Sequence, residues 1–245
     1  MSMVREEEED DDIVCLDESF FINDDYQLTT FTFGSQVLEL FCLQSASTDF
    51  DLTGQLVWPG AVLLNDYLSK HVDELRGLTV LELGSGVGVT GLLCSRFCSR
   101  VVMTDHNDEV IKILKKNIEH HVSTENSTCC DLIAEKLEWG SSDQINALVQ
   151  RYPRGFDLIL GADIYILSFC FQQSSIPLLF STVEQLLQLR GKGLSKFILG
   201  YVSRAKVMDK LICDEANRHG LSMKKVAETC SGVGNLQTVF EIVLQ

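Results

Sequence analysis

A chain of 245 residues with 45% apolar content is long enough for one sizeable core, and no stretch of it approaches the roughly 18 to 20 apolar residues of a membrane span. Its formal charge of -15 argues against sequence-independent binding to nucleic acid and against adhesion to anionic membranes, both of which need basic patches. Nine cysteines, at 15, 42, 94, 98, 129, 130, 170, 213 and 230, lack paired C-x-x-C spacing and suitable histidine partners, so they predict reduced, mostly buried thiols rather than a disulfide framework or a zinc site.

Residues 1–18 are expected to be an acidic, disordered tail, because the unbroken run Glu6–Asp12 cannot bury apolar surface. With Arg5, that run gives residues 1–12 a charge of -6 and leaves -9 on the remainder. The amino terminus lacks the basic and apolar regions of a signal peptide, which points to a cytoplasmic protein, with a nuclear pool also compatible. Residues 19–58 read as an N-terminal extension: YQLTTFTF (Tyr26–Phe33) and QVLELFCL (Gln36–Leu43) flank Gly34-Ser35 as a β-hairpin, and STDFDLTG follows as a polar loop.

The main domain is expected over 59–245. Pro59 is placed to open a helix through about Leu75, with Ala61, Leu64, Leu68 and Val72 on one stripe. Strand and helix then alternate: strand Thr79–Leu83, helix from about Val89 to Phe97, strand RVVMTD (100–105), helix Glu109–His121, and a strand over Thr128–Ala134. Helices near Ser141–Gln150, Ile176–Leu189 and Ala205–His219 separate the further strands FDLILGAD and KFILGYV. This alternation predicts a parallel sheet covered on both faces. LSMKKVAE and QTVFEIVL have no room for a helix between them, so they should close the sheet as an antiparallel hairpin.

Within VLELGSGVGVTG (Val80–Gly91), Gly84, Gly86 and Gly88 allow a tight turn and a close backbone approach to a ligand where a strand meets a helix. Ligands of open α/β sheets sit at the carboxyl ends of strands, and the next strand ends at Asp105, which lies 21 residues after Gly84 and is suited to accept hydrogen bonds from ribose hydroxyls. The bland alternative is that Asp105 caps the helix beginning near Asn107. Glu82 discriminates among ligands: a carboxylate beside the loop disfavours a pyrophosphate and favours a cation. S-adenosyl-L-methionine has an ammonium group, a sulfonium and no phosphate.

Together, VLELGSGVGVTG, VVMTDHND, LEWG and FDLILGADIYI, with GQLVWPGA upstream and a closing hairpin downstream, resemble the seven-strand (class I) S-adenosylmethionine-dependent methyltransferases. More narrowly, they resemble the small lysine-methyltransferase-like branch that modifies non-histone proteins. The resemblance covers about Gln36 to the end of the chain. It implies a Rossmann-like, doubly wound, mostly parallel seven-stranded sheet, a protein substrate and a monomer. It also implies that Gly84, Ser85, Gly86 and Gly88 surround the methionine part of the cofactor, with Glu82 reaching its amino group. Asp105 would hold the ribose, His106 and Asn107 would lie beside the adenosine, and Trp139 would pack on the adenine with Glu138 facing its amine. Trp58 and Ala162 would border the cofactor.

On the substrate side the family places D-x-x-Y/F after its fourth strand. Here the segment reads Asp163-Ile164-Tyr165-Ile166, with the aromatic at +2. Asp163 and Tyr165 are the catalytic candidates, and Tyr201, Ser203 and Arg204 are secondary ones. The expected function is methylation of a protein nitrogen, with lysine leading and arginine or histidine open. A non-catalytic cofactor-binding partner protein is the alternative, and a dinucleotide-dependent oxidoreductase is disfavoured by Glu82, LEWG and the terminal hairpin.

Overall fold

The alternation of strand and helix from residue 79 onward builds one seven-stranded sheet, seen in a computed structural model that describes residues 25–45, 50–124, 130–164, 169–230 and 236–245. The proposed acidic tail lies outside the described residues. Ahead of the sheet, β1 (Gln27–Phe33) and β2 (Gln36–Cys42) form the expected hairpin, paired from Gln27 with Cys42 to Phe33 with Gln36 around Gly34 at φ +59°.

Five strands run parallel: β3 (Thr79–Leu83), β4 (Arg100–Asp105), β5 (Asp131–Lys136), β6 (Leu158–Ala162) and β7 (Lys196–Val202). The closing hairpin, β8 (Leu221–Cys230) and β9 (Leu236–Leu244), adds two antiparallel strands, giving the order β5-β4-β3-β6-β7-β9-β8. The order reverses direction between β3 and β6, so the loops after these strands diverge and open a crevice at their carboxyl ends.

Period-two alternation distributes the strand side chains between two cores. Val80, Val101, Met103, Leu158, Leu160 and Ile198 join one, while Leu81, Leu83, Val102, Ile159, Phe197 and Leu199 join the other. The first core is covered by the hairpin, α1 (Pro59–Lys70), α3 (Val89–Cys94) and α4 (Asp108–Thr124); the second by α5 (Ser142–Arg151), α6 (Phe169–Arg190) and α7 (Lys206–Arg218).

Several expected boundaries shift. The helix predicted from Pro59 to Leu75 divides at His71 into α1 and a single turn, α2 (Val72–Leu75). The polar loop before it contains a 3-10 turn over Phe50–Gln55, and α3 ends at Cys94 rather than Phe97. Strand β5 runs over Asp131–Lys136, two residues past the expected end at Ala134, while residues 128 and 129 of the expected strand lie outside the described residues. Helix α6 begins at Phe169 and carries Pro177 within it. Cys42, Cys94 and Cys98 are buried as anticipated, but Cys213 and Cys230 are exposed, the former on the polar face of α7 and the latter at the end of β8.

Candidate active site

The glycine loop follows β3. Gly84, Gly86 and Gly88 have φ of +64°, +54° and +91°, backbone that a residue with a Cβ adopts only under strain. Sterics add a second requirement. A Cβ on Gly84 would lie 2.8 Å from Ile164 Cγ2 and 3.4 Å from Trp139 Cζ2, and one on Gly86 would lie 2.6 Å from the Gly54 carbonyl oxygen. The loop is thus bordered by Trp139 on one side and roofed by the 3-10 turn on another. Trp58 secures that roof by donating its Nε1–H to the Thr53 carbonyl at 2.8 Å.

Both acids predicted beside the loop are buried, Glu82 at 2% and Asp105 at 6% exposure. Glu82 Oε2 accepts from the Gly91 amide at 3.0 Å. Burial, opposed by hydrogen bonds from Ser85, Gly91 and Thr90, pushes its carboxyl up from 4.5 to about 7. Thr90 also accepts from Asn65 Nδ2 at 3.3 Å, and Asn65 Oδ1 is buried without a hydrogen-bond partner among the described residues.

Asp105 ties the ends of two strands together. Its Oδ2 accepts from Gly86 N at 3.1 Å, while Oδ1 accepts from His106 N at 2.8 Å and Asn107 N at 3.3 Å. The helix cap proper is Asn107, whose Oδ1 accepts from Glu109 N and Val110 N. Ser85 bridges the same strands, donating its amide to Thr104 O at 2.8 Å and accepting from Thr104 N at 3.0 Å through Oγ. The His106 imidazole is more than half exposed, with Nδ1 3.3 Å from Asp105 Oδ1. Glu138 is exposed and Trp139 half-buried in the turn after β5, with Glu138 N donating to Gln144 Oε1 at 2.7 Å.

At the ends of β6 and β7, Ala162 is half-buried and Asp163 follows with φ +52°, the positive φ of a non-glycine residue among those described. That turn directs a carboxylate with no exposed side-chain surface into a clasp. Arg204 grips it bidentately, Nη1 to Oδ1 at 2.6 Å and Nη2 to Oδ2 at 2.8 Å, and Gly60 N donates to Oδ2 at 2.8 Å. Gly60 belongs to the first turn of α1, so one acid joins α1, β6 and the loop after β7. The three donors engage both oxygens. Nearby, Asp209 accepts from Tyr201 Oη at 2.7 Å and Ser203 Oγ at 2.8 Å; burial first and this bond second raise the Tyr201 phenol well above its ordinary value. Tyr165 lies outside the described residues.

Of the predicted residues, Glu82, Gly84, Ser85, Gly86, Gly88, Asp105, His106, Asn107 and Trp139 gather around the loops after β3, β4 and β5, with Trp58 behind the roof. Asp163 is engaged by Arg204 rather than open to an incoming group. Two positioning elements escaped the sequence reading. Gly54 opens the GQLVWPGA stretch, but nothing in that stretch names the close approach of its carbonyl to Gly86. Asn117 is fully buried on α4, accepts from Phe41 N at 2.7 Å and donates to Phe41 O and Val87 O, both at 2.9 Å, thereby tying the hairpin to the glycine loop.

The chemistry of this set fits a cationic, hydroxyl-bearing nucleoside ligand. Its side chains offer buried acceptors, Glu82, Asp105 and Asn65, and the predicted cofactor residues include no lysine or arginine to meet a phosphate.

Solved structures that share this fold include a Thermus thermophilus 16S rRNA methyltransferase in complex with AdoMet and guanosine, at TM-score 0.58, with 17% identity, covering 90% of this chain and 51% of that one. Another is a magnesium protoporphyrin IX methyltransferase from Synechocystis with bound SAH, at TM-score 0.54, 13% identity, and coverage of 75% and 82%. The fold is that of the class I methyltransferases.

Residues 42–213 match the lysine methyltransferase family, and the chain belongs to that family. Mouse protein N-lysine methyltransferase METTL21A is 31% identical over 146 residues, covering 59% of this chain and 61% of that protein. EEF1A lysine methyltransferase 3 of Xenopus tropicalis is 31% identical over 132 residues, covering 53% and 51%. The chain therefore spans about half to three-fifths of the length of these relatives.

Proposed function

We propose that this chain is an S-adenosyl-L-methionine-dependent protein N-methyltransferase that modifies lysine on a non-histone protein. The observation that carries the proposal is the pair of buried acids flanking a glycine loop at the ends of adjacent strands, Glu82 beneath it and Asp105 across it. Family membership supports lysine as the target.

In this reading, Gly84, Ser85, Gly86 and Gly88 leave room for the amino-acid part of the cofactor, Glu82 favours its positive charge and Asp105 receives the ribose hydroxyls. Trp139, beside Gly84, provides an aromatic face for the adenine, with His106, Asn107 and Glu138 along its edge. When bound, the cofactor supplies an electrophilic methyl group. The chain's task is then to hold a neutral amine in line with that methyl and to keep water out. Asp163 serves by position: fixed by Arg204 and Gly60, it sets the mouth between α1 and the loops after β6 and β7. Tyr165 is the aromatic candidate for desolvating the lysine, which would lower the amine's pKa and promote loss of its proton.

The protein is expected to act as a monomer in the cytoplasm, with a nuclear pool compatible, on a polypeptide rather than a nucleic acid. Incubating a lysate that lacks this protein with the purified chain and labelled S-adenosylmethionine, followed by mass spectrometry, should reveal methyl-lysine in a discrete protein band. Label confined to arginine or histidine would replace the lysine assignment, and no enzyme-dependent label would favour the non-catalytic reading.

A further inference from the structure

A recess lies at the amino ends of β3 and β4, at the opposite end of the strands from the glycine loop. It has a volume of about 500 Å3 and is lined by Thr79, Arg100, Arg151, Tyr152, Pro153, Arg154, Gly155, Phe156 and Arg190. Thr79 and Arg100 begin β3 and β4, while Arg151 and Arg190 end α5 and α6. Four of the chain's nine arginines therefore converge on one recess, without a carboxylate in its wall, in a protein whose net charge is -15.

Ordinary structural roles explain part of this collar. Arg151 and Arg190 suit the negative ends of their helices, and each also meets an acid behind the wall: Arg151 with Glu135 at 2.6 Å and Arg190 with Asp157 at 2.5 Å. Arg100 pairs with Asp131 at 2.8 Å and lies 5.8 Å above the Tyr152 ring. These acids have further donors. Glu135 also receives Tyr152 Oη at 2.6 Å, and Asp157 receives Thr79 N and Oγ1 at 2.8 and 2.7 Å. Each guanidinium carries five N–H donors, more than these pairs use, so donor capacity remains. Arg154 is exposed and has no acidic partner among the described residues.

We propose that this recess binds a small, multiply charged oxyanion of the phosphoryl class, with Arg154 as its principal charge and Arg100, Arg151 and Arg190 as partly neutralised walls. The volume falls in the range of small-ligand sites, and guanidinium forks match phosphoryl oxygens in pairs. A pyrophosphate-sized group fits this chemistry. The site is separate from the cofactor loop and stands independently of the methyltransferase reading.

The test is calorimetric titration of the full chain with inorganic pyrophosphate, in parallel with Arg154→Ala and Arg154→Lys. The proposal expects saturable binding that Arg154→Ala weakens roughly tenfold and Arg154→Lys weakens less. Because Arg154 is exposed, the melting temperature of the ligand-free variant should stay within about a degree or two of the parent. Failure to saturate, equal affinity in Arg154→Ala, or displacement of pyrophosphate by S-adenosylhomocysteine would overturn it. Saturable binding of a hexaglutamate peptide without binding of pyrophosphate would also overturn it, pointing instead to an acidic polypeptide.

Discussion

The two halves of the crevice hold their acids in different ways. After β3 and β4, the partners are close in sequence: Glu82 takes an amide nine residues away, and Asp105 takes one 19 residues away plus those of the next two residues. After β6, Asp163 is held by Arg204, 41 residues on, and by Gly60, 103 residues back. The first half is assembled by one strand-turn-helix unit and its neighbour. The second exists only when α1, β6 and β7 are all in place, so it reports on the finished tertiary structure.

That contrast can be broken from either side. The largest stability effect is expected at the long-range clasp. Arg204→Ala leaves a buried carboxylate with one amide donor, and destabilisation of roughly 3 to 5 kcal/mol is expected in chemical denaturation. Arg204→Lys should recover part of that loss, while Arg204→Ala combined with Asp163→Ala should be less damaging than the sum of the two changes. An additive double variant would remove the clasp from the account.

Glu82 sharpens the other side. Its carboxyl, raised from 4.5 to about 7 by burial, binds a proton in the folded chain that an unfolded glutamate has already released. Its contribution therefore makes the fold progressively less stable as pH rises from about 4.5 to 7, reaching about 3 kcal/mol, and adds no further change above that window. Glu82→Gln should remove much of this slope and stabilise the ligand-free chain near pH 8, while weakening S-adenosylmethionine binding. In the parent chain, cofactor affinity should fall as pH drops below about 7, because a cationic ligand favours the ionised carboxyl. Denaturation and titration from pH 5 to 8.5 test both consequences.

The smallest effect belongs to Asn107. As the cap of α4, Asn107→Ala should lower stability by about 1 kcal/mol, measured by thermal melting, with only a modest effect on cofactor affinity.

The same contrast explains what the sequence disclosed. Glycine spacing, the acid ending β4 and the strand-helix alternation are local patterns, and they sufficed for the sheet, its antiparallel closure and the gathering of Glu82, Gly84, Gly86 and Asp105. Arg204 drew notice only for following a strand, since nothing near it in sequence names Asp163 as its partner. Asn117 reads as an ordinary polar residue in an amphipathic helix until the hairpin lies against it. The division at His71 was hidden because the apolar stripe continues through Val72. Tyr165, at the +2 position, falls outside the described residues.

On the proposed function, the glycine loop and its two acids form a site for a cationic, phosphate-free nucleoside cofactor. Calorimetric titration of the purified chain with S-adenosylmethionine and with NAD, repeated on Asp105→Ala, tests it directly. Saturable binding of S-adenosylmethionine, no binding of NAD, and affinity at least roughly tenfold weaker in a still-folded Asp105→Ala variant are expected. Binding of NAD alone, or unchanged S-adenosylmethionine affinity without Asp105, would contradict it.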